Sequence, residues 1–298
     1  MLAGLFVGLV TLDVVQRVEN LPGPNEKVTA STADIAAGGP ASNAAVAFAA
    51  LGGRATLLTA LGHGPLRPVV LDDLERRHVA IVDAATPGHP GPAISAVSVI
   101  ARTGERSVVS RNAEQARTTV PDDLPDLLAR SDVVLVDGHL PALLHAAAMI
   151  TSKSAGLQVV LDGGSWKPAL ADVLGYVNVA VCSADFAVPG CAGVDESAAA
   201  LLSSGVRFVA FTDGPRPVRW WTGSASGALD VPVVRTRDTL GAGDAFHGAF
   251  ALAVAAAWDP VEALRFAVEV ATVRVQHVGQ RAWLSDPRLT ILARQVSG

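Results

Sequence analysis

The stretch that most constrains this chain is Arg237-Asp238-Thr239-Leu240-Gly241-Ala242-Gly243-Asp244-Ala245-Phe246-His247-Gly248. Gly241, Ala242 and Gly243 let the backbone turn tightly and approach a ligand, and a long apolar run at helical spacing follows directly. The predicted helix therefore begins with unpaired N–H donors and the positive end of its dipole, a setting that suits a phosphate or charge building up on one. Asp244 stands one step inside that anion site. An Asp in a first helical turn is ordinary capping. Beside anion-binding amides, however, a carboxylate repels the ligand, so its use there fits a group that takes a proton from an attacking hydroxyl. The same amides are expected to lower its basicity.

At 298 residues the chain is long enough for one large α/β domain over 1–298 with a small appendage. Hydrophobic residues make up 50% and charged ones 17%, which excludes disorder. A net charge of −5 argues against a nucleic-acid partner, so any polyphosphate must be held by local amides, cations and a metal. Cys182 and Cys191 form no framework and read as free thiols of a reducing cytoplasm. The apolar opening Met1 to Val10 lacks a basic start and a cleavage pattern, and predicts a buried first strand. The run Ala245 to Trp258 is too short to cross a bilayer and predicts a core helix, so no membrane partner is expected.

Strands and helices alternate as a parallel sheet covered on both faces requires. The first strand is expected to end near Asp13, where open α/β sheets place ligands and where a carboxylate can accept from two sugar hydroxyls or cap a turn. Lys27 to Thr32, Ala93 to Ile100 and Ser107 to Val109 predict strands of a small second sheet over 14–36 and 93–111, with Thr103-Gly104-Glu105 as a tight turn. Gly38-Gly39 permits close backbone approach, Pro40 opens a helix through Leu51, and Asn43 in its first turn offers a donor and an acceptor. Further on, 132–136 and 157–161 read as strands around a helix from Pro141 to Ser154, and 261–276 as an amphipathic helix. Asp162 and His139 follow strand ends. Asp162 either holds a metal through water or orients the loop after it, and Lys167 either reaches a phosphate or opens a solvated helix. Trp220-Trp221 reads as strand packing. No P-loop string and no Gly-x-Gly-x-x-Gly after a strand occurs.

Together, the string Asp238 to Gly248 and the segment Gly38-Gly39-Pro40-Ala41-Ser42-Asn43-Ala44-Ala45 closely resemble the paired signatures of the ribokinase-like (PfkB) carbohydrate and nucleoside kinases, in order and spacing over nearly the whole chain. The segments LPGPNEK, LDDLERRHVAIVD and TGERSVV are most similar to those of ketohexokinase and fructose-type kinases. The resemblance implies a doubly wound, mainly parallel sheet in a three-layer α/β/α fold, with the small sheet as a lid over the sugar. It implies ATP and Mg²⁺ as cofactors, with K⁺ held near Thr236 to Thr239 in many members, and a homodimer through the lid. It implies phosphorylation of a sugar hydroxyl, with Asp244 as general base and the amides of Gly241, Ala242 and Gly243 as anion hole. Asp13, Gly38, Gly39, Asn43 and Arg106 are then sugar contacts, and Thr212, Gly214 and Gly279 nucleotide contacts.

The chain departs from the family pattern in two places. Ser183-Ala184-Asp185-Phe186 stands where many members carry an Asn-x-x-Glu motif that organises magnesium waters, and Pro215 and Pro217 interrupt the usual glycine-rich continuation after Gly214. These departures leave open a non-catalytic sugar- or nucleotide-sensing protein on the same fold. A nucleoside kinase is the other alternative, against which stand an aromatic content of 5% and the polar set Asp13, Asn43 and Arg106.

Overall fold

The computed structural model describes residues 1–151 and 156–297. In the first half, β1 (Ala3–Val7), β2 (Thr11–Val18) and β3 (Thr32–Gly38) lead into α1 (Pro40–Ala50). There follow β4 (Arg54–Thr59), α2 (Arg67–Arg76), β5 (Val79–Asp83), β6 (Ala93–Ile100), β7 (Arg106–Ser110), α3 (Leu124–Ala129) and β8 (Val133–Val136). The second half runs α4 (Pro141–Thr151), β9 (Gln158–Gly163), β10 (Val179–Ser183), α5 (Val194–Ser203), β11 (Phe208–Asp213), β12 (Arg216–Thr222), β13 (Ser226–Leu229), α6 (Ala242–Ala255), α7 (Pro260–Val275) and α8 (Pro287–Ser297).

Nine strands form one sheet in the order β13-β12-β11-β10-β9-β8-β1-β4-β5, parallel from β11 to β5 and closed at one edge by the antiparallel pair β12 and β13. Strand residues alternate between two cores, as the period-2 pleat demands. Phe6, Leu57, Val133 and Leu135 face the layer of α1, α6 and α7, whereas Leu5, Val7, Leu58, Val134 and Val136 face α4 and its neighbours. Buried on both sides, the strands read as continuous apolar runs, which is why hydrophobic content is high. The α6 helix is buried at every position from Ala245 to Val254, and its small residues let it press on α1. A Cβ on Gly248 would stand 2.3 Å from the Ala44 carbonyl oxygen. Trp220 stacks on Phe208 and Trp221 meets Phe211 edge-on, so both pack the sheet as expected. Among the described residues no helix is long and apolar enough to cross a membrane.

The second sheet, β3-β2-β6-β7, is present, with shifted boundaries. It draws on 11–38 and 93–110. The first strand ends at Val7, and Asp13 lies inside β2 of the small sheet, because Gly8 breaks the first apolar run. Gly8 has no room for a side chain, since a Cβ there would stand 2.2 Å from the Asp137 carboxylate. Lys27 to Ala30 are not a strand, and β3 begins only at Thr32, where Thr32 to Gly38 pair with Arg17 to Thr11. The alternation at 27–30 is a property of a loop that pairs with no strand. The helix expected over Pro141 to Ser154 is observed to Thr151, and residues 152–154 lie outside the described residues.

Candidate active site

Two glycine-led helix starts face one another across the carboxyl ends of the central strands. Gly39 adopts φ 94°, and a Cβ there would meet the Leu9 carbonyl oxygen at 2.3 Å; at Gly38 a Cβ would fall 2.1 Å from the Asp13 carboxylate. The pair is glycine because the chain passes directly over β2 and the acid it carries. Pro40 then opens α1 and places Asn43 in the first turn.

Opposite, Gly241 is left-handed at φ 70° and caps α6 without any side-chain cap. The Ala242 amide does not serve as a free donor, since it closes a turn on the Thr239 carbonyl at 3.2 Å. Among the described hydrogen bonds the amides of Gly241, Gly243 and Asp244 have no partner, so of the three donors expected Gly241 and Gly243 remain free.

Asp244 and Asn43 meet at this junction. Asn43 Nδ2 donates to Asp244 Oδ2 at 2.8 Å, while Arg281 Nη1 donates to Asn43 Oδ1 at 3.0 Å, fixing the amide orientation. Arg281 is itself held by Asp73 at 2.9 Å and the Ala37 carbonyl at 2.7 Å. Burial, with the negative charge of Asp162 second, pushes the Asp244 carboxyl up to about 7. The expectation that the anion site would lower its basicity is thus reversed. Desolvation of the carboxylate outweighs a helix-terminal dipole, which contributes only about 0.3–1 kcal/mol at exposed positions.

Asp13 is buried and accepts from Thr11 Oγ1 at 2.6 Å and Gln280 Nε2 at 2.7 Å; burial raises its pKa. Gln280 and Arg281, in the turn after α7, therefore serve the end of the site formed by Asp13 and Asn43. The sequence carried no periodic signal for them, and of this turn the resemblance gave a role to Gly279 alone. Gly279 itself donates its amide to Asp238 Oδ2 at 3.0 Å.

Asp238 anchors the loop from beneath. It is 1% exposed, pairs with Arg17 of β2 at 3.0 Å, and has Arg274 of α7 3.9 Å away. Arg274 is 1% exposed, and its Nη2 has no hydrogen-bond partner. From the β6–β7 hairpin, Arg106 Nη1 donates to Thr239 Oγ1 at 2.9 Å, and Leu240 packs on Val15, Val97 and Val99. The small sheet thus rests on the Arg237 to Leu240 segment.

On the other side, Asp162 is buried in β9 with Oδ2 lacking a hydrogen-bond partner; burial raises its pKa. His247 of α6 lies 3.5 Å from it, its two ring nitrogens 2.8 Å from the Gly243 and 3.0 Å from the Val181 carbonyl oxygens. Burial lowers the pKa of His139 and of Lys167, whose Nζ donates to Ser165 Oγ at 2.6 Å. Asp185 is exposed, and its amide donates to Ser183 Oγ at 3.2 Å. Thr212 stands one residue before the end of β11 with its hydroxyl 3.4 Å from the Cys182 carbonyl, and a Cβ on Gly214 would meet nothing within 4 Å, so open space lies beside that turn. Among the described residues no group of three or more His, Cys, Asp or Glu could hold a metal.

A carboxylate of raised basicity, free helix-start amides and a second buried acid, Asp13, grouped beneath a small second sheet on a large α/β sheet, define a phosphotransferase of the ribokinase-like class. The family model for pfkB family carbohydrate kinases matches residues 4–286, and the chain belongs to that family. Ribokinase of Arabidopsis thaliana is 26% identical over 303 aligned residues, covering 92% of this chain and 76% of its own. Fructokinase-2 of Oryza sativa is 25% identical over 239, covering 74% and 71%. The structure of Arabidopsis thaliana ribokinase complexed with ribose and ATP has the same fold, with a TM-score of 0.79, 22% identity and 98% of each chain covered.

Proposed function

We propose that the protein transfers the γ-phosphoryl group of ATP to a hydroxyl of a pentose or ketose, with Asp244 as the group that takes the hydroxyl proton. The observation that carries this reading is the Asn43–Asp244 contact, which puts a carboxylate of pKa about 7 beside free amides and within the reach of Asp13. A base poised near neutral pH is matched to its task. Asp13 and Asn43 receive and orient the sugar hydroxyls, and Gly38 and Gly39 leave the room they need. The amides of Gly241 and Gly243 stabilise charge on the phosphoryl in flight, and Arg106 of the lid supports the loop that carries them. Thr212 and Gly214 are the nucleotide side of the site, where the open turn at Gly214 admits a ring or ribose. Gly279 belongs instead with the support of Asp238.

The unpartnered Oδ2 of Asp162 is the feature that fits Mg²⁺, held through water and the phosphates as this ion prefers. When bound, Mg²⁺ neutralises phosphate charge; Lys167 and His139 flank the same carboxylate. K⁺ would be held by carbonyls of 236–239. The lid supports a homodimer, since Ile35, Val14, Ala96 and Val109 lie in register across its outer face, with Ile35 60% and Val109 76% exposed. A second copy of the same face is the occupant proposed. A cytoplasmic location fits the free thiols Cys182 and Cys191.

The deciding experiment is ATP turnover over pentoses, ketohexoses, aldohexoses, sugar acids and nucleosides with Mg²⁺ and K⁺. Turnover on one class that vanishes in Asp244→Asn supports the proposal. Binding of ATP or sugar without turnover of any member would favour the sensing protein, and turnover of nucleosides alone would favour the nucleoside kinase.

A further inference from the structure

Beside the sugar site lies a cavity of about 330 Å³ for which that chemistry has no use. One wall is Leu9 and Val10, the two residues that lead into Thr11 and Asp13. The other is the turn after β7, where Arg111 and Asn112 stand, and Thr59 and His89 also face it. The residues that line it include no Asp or Glu, and Arg111 and His89 are the only ionisable ones.

The pairing pattern separates this cavity from the site next to it. Asp13 accepts from Thr11 and Gln280, while Asn43 bridges Asp244 and Arg281. By contrast, the exposed side chains of Arg111 and Asn112 and the half-buried ring of His89 take part in none of the described hydrogen bonds or ion pairs, and Thr59 Oγ1 is buried without a partner. A guanidinium offers five donors in a planar fork, which matches an oxyanion.

The two regions are joined by hydroxyls. Ser95 stands in register with Asp13 across the β2–β6 pair and donates to Ser110 Oγ at 2.9 Å, and the Asn112 amide donates to Ser110 Oγ at 3.1 Å. The Arg111–Asn112 turn is therefore fixed two hydroxyls away from the acid assigned to the sugar. Asn112 is itself left-handed at φ 48°, a conformation Asn tolerates and most side chains avoid.

We infer that this cavity receives an oxyanion, a carboxylate or a phosphate ester, carried by the sugar substrate at the end away from the hydroxyl that is phosphorylated, with Arg111 as its principal partner and His89 and Asn112 beside it. The inference rests on the sugar-kinase reading and narrows its substrate to acid or phosphorylated sugars. Neutral sugars would occupy the Asp13–Asn43 site and leave Arg111 unused.

The test is calorimetric titration and ATP turnover of wild type, Arg111→Gln and Arg111→Lys with D-ribose, D-fructose, D-ribose 5-phosphate, D-fructose 6-phosphate and D-gluconate. The expected result is at least about tenfold tighter binding of one charged sugar than of the neutral ones, the scale of a hydrogen bond to a charged group. That advantage should shrink to near unity in Arg111→Gln and return in part in Arg111→Lys. Preference for a phosphate ester or for gluconate identifies which oxyanion is meant. Equal binding of charged and neutral sugars by wild type, or an advantage that survives Arg111→Gln, overturns the inference. A binding advantage without turnover of any sugar would leave the subsite standing and remove the kinase reading instead.

Discussion

The amide of Asn43 and the carboxylate of Asp244 meet at 2.8 Å although 201 residues separate them, so the first turns of α1 and α6 are held together by this pair. The glycines before each helix make this approach possible. Arg281 completes it by holding the far side of the Asn43 amide, which leaves only one orientation in which the amide donates to Asp244.

Replacing Asp244 with Asn should lower kcat by at least about a hundredfold, the usual scale for loss of general acid–base catalysis, while sugar and ATP still bind. Steady-state kinetics together with equilibrium binding separate the two effects. Turnover at the wild-type rate would remove Asp244 from the mechanism.

Activity should fall on the acid side with a midpoint near pH 7, because the carboxyl pushed up to about 7 must be ionised to accept a proton. Asp162 contributes to that rise by repulsion, so Asp162→Asn should move the acid limb of kcat/KM to lower pH. A pH profile of the two proteins side by side checks the direction, and an unmoved limb would exclude the coupling.

Asp238→Asn should destabilise the fold by about 3–5 kcal/mol, since Arg17 and Arg274 would be left buried without their counter-charge. Denaturant unfolding at fixed pH measures this. A change under about 1 kcal/mol would mean that the guanidinium groups find other partners.

Gly38→Ala should raise the KM for sugar with little effect on that for ATP, because the added methyl can be accommodated only by displacing the Asp13 carboxylate. Equal changes in both constants would point to a general disturbance of the fold.

Val109→Glu, on the outer face of the small sheet, should convert a dimer to a monomer in analytical ultracentrifugation, because it places a charge in the row with Ile35, Val14 and Ala96. Wild type sedimenting as a monomer would dismiss the lid-to-lid pairing at the outset.

The large sheet was legible because strands buried on both faces are long apolar runs between turn residues, and α1 and α6 because glycine and proline mark their starts. The positions of Asn43 and Asp244 in first helical turns were legible for the same reason, since each follows one of those marks, whereas Asp13 was read onto the end of the first strand and lies inside β2. What was not legible depended on contacts across the sequence. The strand at 32–38 is defined by its pairing with β2, and its sequence alternates no better than the loop before it. Gln280 and Arg281 carry no local signature, and Asp238 stands in the signature string without a sign of its pairing, because their roles are set by residues 267, 238 and 221 positions away. The basicity of Asp244 escaped sequence reasoning because it depends on burial and on Asp162 rather than on the helix that carries it.

The turn that holds Gln280 and Arg281 comes near the end of the chain, yet it fixes both Asp13 and Asn43 near the beginning. During synthesis the sheet, α1 and even the glycine loop of α6 are all available before this turn emerges. The brace on Asp13 and Asn43 therefore forms after the elements it joins, as a consequence of chain order. A molecule shortened before Gln280 would keep Asp244 and its glycine loop but lack the side chains that hold Asp13 and Asn43.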